Sequence, residues 1–276
     1  VQLRATSLDD AAADVLKTSS SLSLVGHFER ALILSSDRDG AMVSVVRYDV
    51  PNGPYTVRLD GSGPLDLRII GTAPQLDVAS ATRWSVTPVT PGEAVDRTEL
   101  ARRLLLLELI GERAAGSGRG WSEVISVDDL DGLETALSTY DRRKGAGVAA
   151  RIAGLGPGLT PSGDDLLAGA LAFHAWAEAA GHAETGGPLR GAITEAAVSR
   201  TTRLAGQLLR SAERGHVAAP IAALLSSIFR RRGTFPPDLA AVLSIGETSG
   251  ADMLAGIRLA GRAHLRRRAM QGDALA

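Results

Sequence analysis

One eight-residue pattern occurs twice in this chain, and it constrains the fold more than any other feature. Ser162-Gly-Asp-Asp-Leu-Leu-Ala-Gly169 and Ser249-Gly-Ala-Asp-Met-Leu-Ala-Gly256 agree at Ser, Gly, Asp, Leu, Ala and Gly. Each is preceded by a glycine-containing approach, Gly156-Pro-Gly158 or Gly246, and by a threonine, Thr160 or Thr248. The approaches are too rich in glycine and proline to be helix interior. A serine with an acid three residues later is the sequence signature of a capped helix start. Two related helix starts predict packing about a local pseudo-dyad. The Ala-Gly pairs further along, Ala168-Gly169 and Ala255-Gly256, let two helix axes approach closely.

The rest of the chain reads as α+β with segregated parts. Short apolar or β-branched runs at 22–25, 31–34, 41–46, 55–59 and 65–70 are separated by Asp37-Arg-Asp-Gly40, Pro51-Asn-Gly-Pro54 and Asp60-Gly-Ser-Gly63. That spacing predicts a small antiparallel meander or barrel, to which 84–89 adds a strand. A first helix is expected from Ser7-Leu-Asp-Asp10 to about Lys17. Pro88, Pro91 and Gly92 break the pattern. The boundary is therefore expected near Pro91, giving a β-rich part over 1–91 and an Ala/Gly-rich helical part over 92–276. Helices are predicted at 96–113, 128–140, 142–152, 162–180, 189–214, 218–232, 238–243 and 249–267. Trp121, Phe173, Trp176 and Phe229 read as core.

Composition narrows the chemistry. The chain has 276 residues and no cysteine, which excludes disulfides, thiolate metal sites and a cysteine nucleophile and points to a cytoplasmic setting. With a formal net charge of −1 there is no broad field for nucleic acid or a membrane surface, so neither is expected as a partner. The apolar runs are shorter than the ~20 residues a membrane span needs. The five histidines show no metal-ligand spacing, and neither a metal nor a cofactor is expected. The Arg262–Arg268 cluster reads as a solvated helix end.

The paired helix starts remain as the candidate site. N–H groups at Gly163 and Asp164 are expected to point outward at the positive end of a helix dipole, which favours a bound anion. Gly156, Gly158, Gly163 and Gly250, with the hydroxyls of Thr160, Ser162, Thr248 and Ser249, would shape a pocket for a small anionic substrate such as a carboxylate or carbamoyl phosphate. Asp165 and Asp252 are expected to cap their helices. Asp164 is expected to be the freer carboxylate, the one available for catalytic work.

The same residues carry a resemblance. Gly156-Pro-Gly-Leu-Thr-Pro-Ser-Gly-Asp-Asp165 and Gly246-Glu-Thr-Ser-Gly-Ala-Asp-Met-Leu-Ala-Gly256 resemble a bacterial domain family that includes the third, smaller subunit of oxamate carbamoyltransferase. Phe28-Glu-Arg-Ala31 and Asn52-Gly-Pro54 are similar to that family's N-terminal motifs, while Glu247 stands where its pattern often has histidine. The resemblance implies a component of an assembly of three different subunits that interconverts oxalurate plus phosphate with oxamate plus carbamoyl phosphate, in nitrogen and purine catabolism. It makes other subunits of a hetero-oligomer the expected partners, and Arg30 a possible catalytic charge partner. Carbamoyl transfer needs positioning and charge stabilisation more than a protein nucleophile. Two other readings stay open: a small-anion-binding or regulatory protein without chemistry, and a structural subunit whose motifs are caps at a tight helix crossing.

Overall fold

The computed structural model describes residues 2–61, 75–115, 120–183, 186–232 and 239–272, and the chain divides into two compact units, 1–86 and 87–276. The first unit holds the strands and the second the long helices, as the α+β reading expects.

In the first unit, strand β1 (Gln2–Asp9) runs directly into helix α1 (Asp10–Thr18). The acidic start expected for this helix from Ser7 is still strand up to Asp9. Asp9 Oδ1 then caps α1, accepting the N–H groups of Ala11 at 3.1 Å and Ala12 at 3.3 Å. Strands β2 (Leu22–His27), β3 (Ala31–Ser36), β4 (Met42–Val46), β5 (Thr56–Leu59), β6 (Gln75–Asp77) and β7 (Thr82–Trp84) follow. The sheet order is β2-β3-β4-β5-β1-β6, with β7 also paired to β1.

The pairing is mixed rather than wholly antiparallel. β2–β3, β3–β4 and β1–β5 are antiparallel, whereas β4–β5, β1–β6 and β1–β7 are parallel. The Pro51–Pro54 turn is therefore not a hairpin. It carries the chain back so that β5 runs alongside β4, and it is tied to β1: the Ser7 hydroxyl donates to Asn52 Oδ1 at 2.5 Å and Tyr55 N–H donates to Asp9 Oδ1 at 2.7 Å. Leu3, Leu8, Leu32, Leu34, Val43, Val45, Val57 and Leu59 form the core of this unit. The strand expected at 65–70 lies outside the described residues. The one expected at 84–89 is replaced by β7, three residues long and ending at Trp84.

In the second unit, α2 (Arg97–Ala115), α3 (Trp121–Val124), α4 (Val127–Thr139), α5 (Arg142–Ile152), α6 (Ser162–Ala179), α7 (Gly187–Val198), α8 (Arg203–Glu213), α9 (Ala219–Phe229), α10 (Leu239–Leu243) and α11 (Ser249–Met270) follow in order. The single helix expected over 189–214 is two, broken at 199–202, where Thr202 starts α8 by accepting Ala205 N–H at 3.1 Å. Helix α6 is buried from Ser162 to Ala177, so it is the axis around which the others pack. A helix apolar on all sides belongs in a core. Phe173, Trp176 and Phe229 are buried as expected, with Trp176 Nε1 donating to Gly215 O at 2.9 Å, whereas Trp121 is partly exposed. Among the described residues no helix is long and apolar enough to cross a membrane.

Candidate functional site

The two copies of the pattern start α6 and α11, and these helices meet there. Contacts made by one copy are repeated by the equivalent residues of the other. A Cβ on Gly169 would lie 2.1 Å from Met253 O, and one on Gly256 only 1.9 Å from Leu166 O. Leu166 and Met253 occupy the same place in the pattern, so the crossing has local two-fold character.

The approaches repeat as well. Leu155 N–H donates to Ile152 O (3.2 Å) and Gly163 N–H to Leu155 O (3.0 Å); Ile245 N–H donates to Val242 O (3.1 Å) and Gly250 N–H to Ile245 O (3.0 Å). Gly156 (φ 111°) and Gly246 (φ 59°) occupy equivalent left-handed positions against Ser162 and Ser249, where a side chain would be strained. The first copy has the longer loop, with Pro157 and Gly158 exposed.

Several expectations change once these bonds are counted. The N–H groups of Gly163 and Gly250 are spent on loop carbonyls, and those of Asp164 (2.9 Å) and Asp165 (3.1 Å) on Pro161 O, so no outward-facing N–H pair awaits an anion. The glycines serve close packing: a Cβ on Gly163 would lie 1.9 Å from Ile152 O, and one on Gly250 equally near Val242 O. The residues preceding the helices are Pro161 and Thr248, neither with a side-chain cap bond, so Asp165 and Asp252 do not cap their own helices. Instead the hydroxyl of each copy's serine faces the other copy's aspartate: Ser162 lies beside Asp252 and Ser249 beside Asp165. Thr160 Oγ1 also stands 3.3 Å from Ser249 Oγ.

Asp164 is the most firmly held carboxylate rather than the freer one. It accepts Gly154 N–H on both oxygens (3.2 and 3.3 Å) and the Thr201 hydroxyl at 2.5 Å. Thr202 Oγ1 donates to Leu159 O at 2.6 Å, so the turn between α7 and α8 clamps the loop before α6. Sequence reasoning missed this clamp because it ran one helix through Thr201-Thr202, although adjacent threonines are themselves a capping signal.

All three carboxyls are buried, and burial raises the pKa of each above the usual carboxylate range. The effect is largest at Asp165, where the charges of Asp252 and Asp164 add to it against the hydroxyls of Ser249 and Thr160. Asp165 Oδ2 and Asp252 Oδ2 are both buried without a hydrogen-bond partner. Such groups cost stability and are concentrated where function requires them.

Residues 152–261 match the family model described as oxamate carbamoyltransferase subunit AllH, a span that contains both copies and their approaches. That part of the chain is similar to the AllH family. No solved structure matches the chain.

Within the AllH span, the crossing thus joins Thr160, Ser162, Asp165, Thr248, Ser249 and Asp252. Gly156, Gly158, Gly163 and Gly250 shape its backbone, and Asp164 anchors it. A contribution comes from outside the span: Trp121 N–H donates to Asp252 Oδ1 at 2.8 Å, and a Cβ on Gly120 would lie 2.5 Å from that oxygen. Nothing in the sequence spacing joined Trp121 to Asp252. Arg30 belongs to the first unit, where it pairs with Asp49 (Nε to Oδ2 3.4 Å) and donates from Nη2 to Asp49 O at 3.2 Å. A cavity of about 180 Å³ borders the crossing, lined by Trp121, Leu166, Ala255, Glu108, Arg258 and Arg262. Its two arginines are already paired, Arg258 and Arg262 with Glu108 at 2.9 Å and Arg262 with Glu134 at 2.9 Å.

Proposed function

We propose that this chain is a subunit of an oxamate carbamoyltransferase-type assembly in nitrogen or purine catabolism, working with other subunits in the cytoplasm, and that the α6/α11 crossing is its reactive centre. The observation that carries the reading is the pair of buried, partnerless carboxyl oxygens at Asp165 and Asp252, set across from each other's serine inside the span that matches the AllH family.

The chemistry suits such a pair. Moving a carbamoyl group from oxalurate to phosphate breaks a C–N bond and forms a C–O bond, and the departing nitrogen of oxamate must take up a proton. A carboxyl whose pKa is raised by burial still holds its proton nearer neutral pH and can give it up there. In this reading Asp165 and Asp252 share that proton. Thr160, Ser162, Thr248 and Ser249 donate to the substrate's oxygens as it enters over the exposed Pro157-Gly158 loop. Asp164 is a positioning residue.

The test uses the intact assembly. The tagged chain, expressed in its own host, should co-purify with other subunits and form carbamoyl phosphate from oxalurate and phosphate. Asp165→Asn or Asp252→Asn in that assembly should lower kcat by about 10²-fold or more while subunit association persists. A chain that purifies alone, or an Asp165→Asn assembly with full activity, would overturn the proposal. The second of these would favour the structural reading, in which the crossing only locks two helices.

A further inference from the structure

Far along α11 from the crossing lies a cavity that the carbamoyl-transfer reading does not use. It has a volume of about 170 Å³ and is lined by Arg97, Tyr140, Gly181, His182, Ala183, His264, Arg267, Arg268 and Gln271. At 1.5 Å per residue, Arg267 stands roughly 20 Å along the helix from Asp252. One water needs only ~15 Å³ of such space, so the cavity has room for an ion of several heavy atoms.

Its chemistry is one-sided. Three guanidinium groups border it, and no carboxylate is among its described lining residues. Neutral groups help to fix two of them: Arg267 lies 4.0 Å over the Tyr140 ring and donates to Ser138 O at 3.4 Å, and Arg268 donates to Arg97 O at 3.1 Å. The Arg262–Arg268 cluster is thus only partly the solvated helix end that the sequence suggests. Arg266 is exposed, whereas Arg267 and Arg268 are half-buried against the cavity. Two histidines face the same space with buried Nε2 atoms that have no hydrogen-bond partner, His182 and the buried His264.

We propose that this cavity binds a small tetrahedral oxyanion of the phosphate class, with Arg97, Arg267 and Arg268 supplying the charge beside the rings of His182 and His264. Planar guanidinium forks match such oxygens in geometry, and fixing them beforehand lowers the ordering cost of binding. Burial and the neighbouring positive charges lower the pKa of both imidazoles, that of His264 to about 3, while a hydrogen bond to the Val95 backbone works against this at His182.

Calorimetric titration of the full chain with inorganic phosphate, at constant ionic strength, tests this. Saturable binding is expected, together with shifts of the His182 and His264 ring signals in NMR spectra. Affinity should fall at least about tenfold in Arg268→Gln and in Arg97→Gln, equivalent to ~1.4 kcal/mol, and should persist in Arg266→Gln. Each variant's melting curve shows whether it is folded. Acetyl phosphate run in parallel identifies the source: tighter binding than phosphate assigns the site to an acyl phosphate, weaker binding to the free ion. No saturation by about 10 mM of either ligand, or equal weakening in Arg266→Gln and Arg268→Gln, would overturn the site while leaving the α6/α11 proposal untouched.

Discussion

Replacing Gly256 with alanine tests one of the closest backbone approaches among the described residues. The new Cβ would lie 1.9 Å from Leu166 O and 2.9 Å from Ala170 N. A carbon against a carbonyl oxygen needs about 3.3 Å, so α6 and α11 must part by more than ~1 Å. Overpacking of a well-filled interior costs about 1–3 kcal/mol and occasionally more. The helix gains back up to ~1 kcal/mol, because alanine is a better helix former than glycine. A net loss of about 2 kcal/mol lowers Tm by roughly 4 to 8 °C for a unit of this size. Gly147→Ala is the control, since Gly147 is an exposed glycine in α5 whose Cβ would meet only Arg151 Nη1 at 3.8 Å. It should raise Tm slightly through helix propensity alone. Gly169→Ala should match Gly256→Ala, and the double variant should cost less than the sum, because helices already parted accommodate a second methyl. Differential scanning calorimetry reads all four. If Gly256→Ala melts at or above the wild type, as Gly147→Ala should, the close crossing is refuted.

Burial raises the pKa of Asp165 in the folded state, so the proton is bound more tightly folded than unfolded. The resulting stabilisation is complete below the unfolded value near ~3.9 and is lost as pH rises toward the folded value, by at most ~1.4 kcal/mol per pH unit. Chemical denaturation between pH 4 and 8 should therefore show a shallower decline in Asp165→Asn than in the wild type; parallel curves would mean that Asp165 ionises normally. Thr201→Val removes the hydroxyl held by Asp164 and should destabilise the chain by about 1–3 kcal/mol. Hydrogen exchange should then be faster at the Gly154 amide, and unchanged exchange there would remove Asp164 from its anchoring role.

Much of the site was legible in the sequence because it is written as a repeat. Agreement between Ser162–Gly169 and Ser249–Gly256 was enough to place both at helix starts and bring them together. The Ala-Gly pairs were enough to expect a close crossing, since a glycine in a helix interior costs stability unless another backbone needs the room. The assignment of roles failed for one reason: a capping pattern specifies which groups are available, but the partner each takes depends on what packs beside it. Asp164 looked free because the Thr201 that binds it is distant in sequence. Asp165 and Asp252 looked like caps because their crossed pairing with Ser249 and Ser162 exists only after α6 and α11 meet.

The sequence alone thus determined local matters: turns forced by glycine and proline, most helix spans, the segregation of strands from helices, and the kinship of the two motifs. These follow from backbone sterics and from the period of apolar residues, which act over a few residues at a time. Only the tertiary structure decided the parallel return of β5 beside β4, the break between α7 and α8, the Trp121 N–H on Asp252 and the gathering of Arg97 with Arg267 and Arg268. Each of these depends on contacts between residues far apart in the chain. Burial and charge at such contacts are set by the neighbours that folding supplies, and residue spacing carries no record of them.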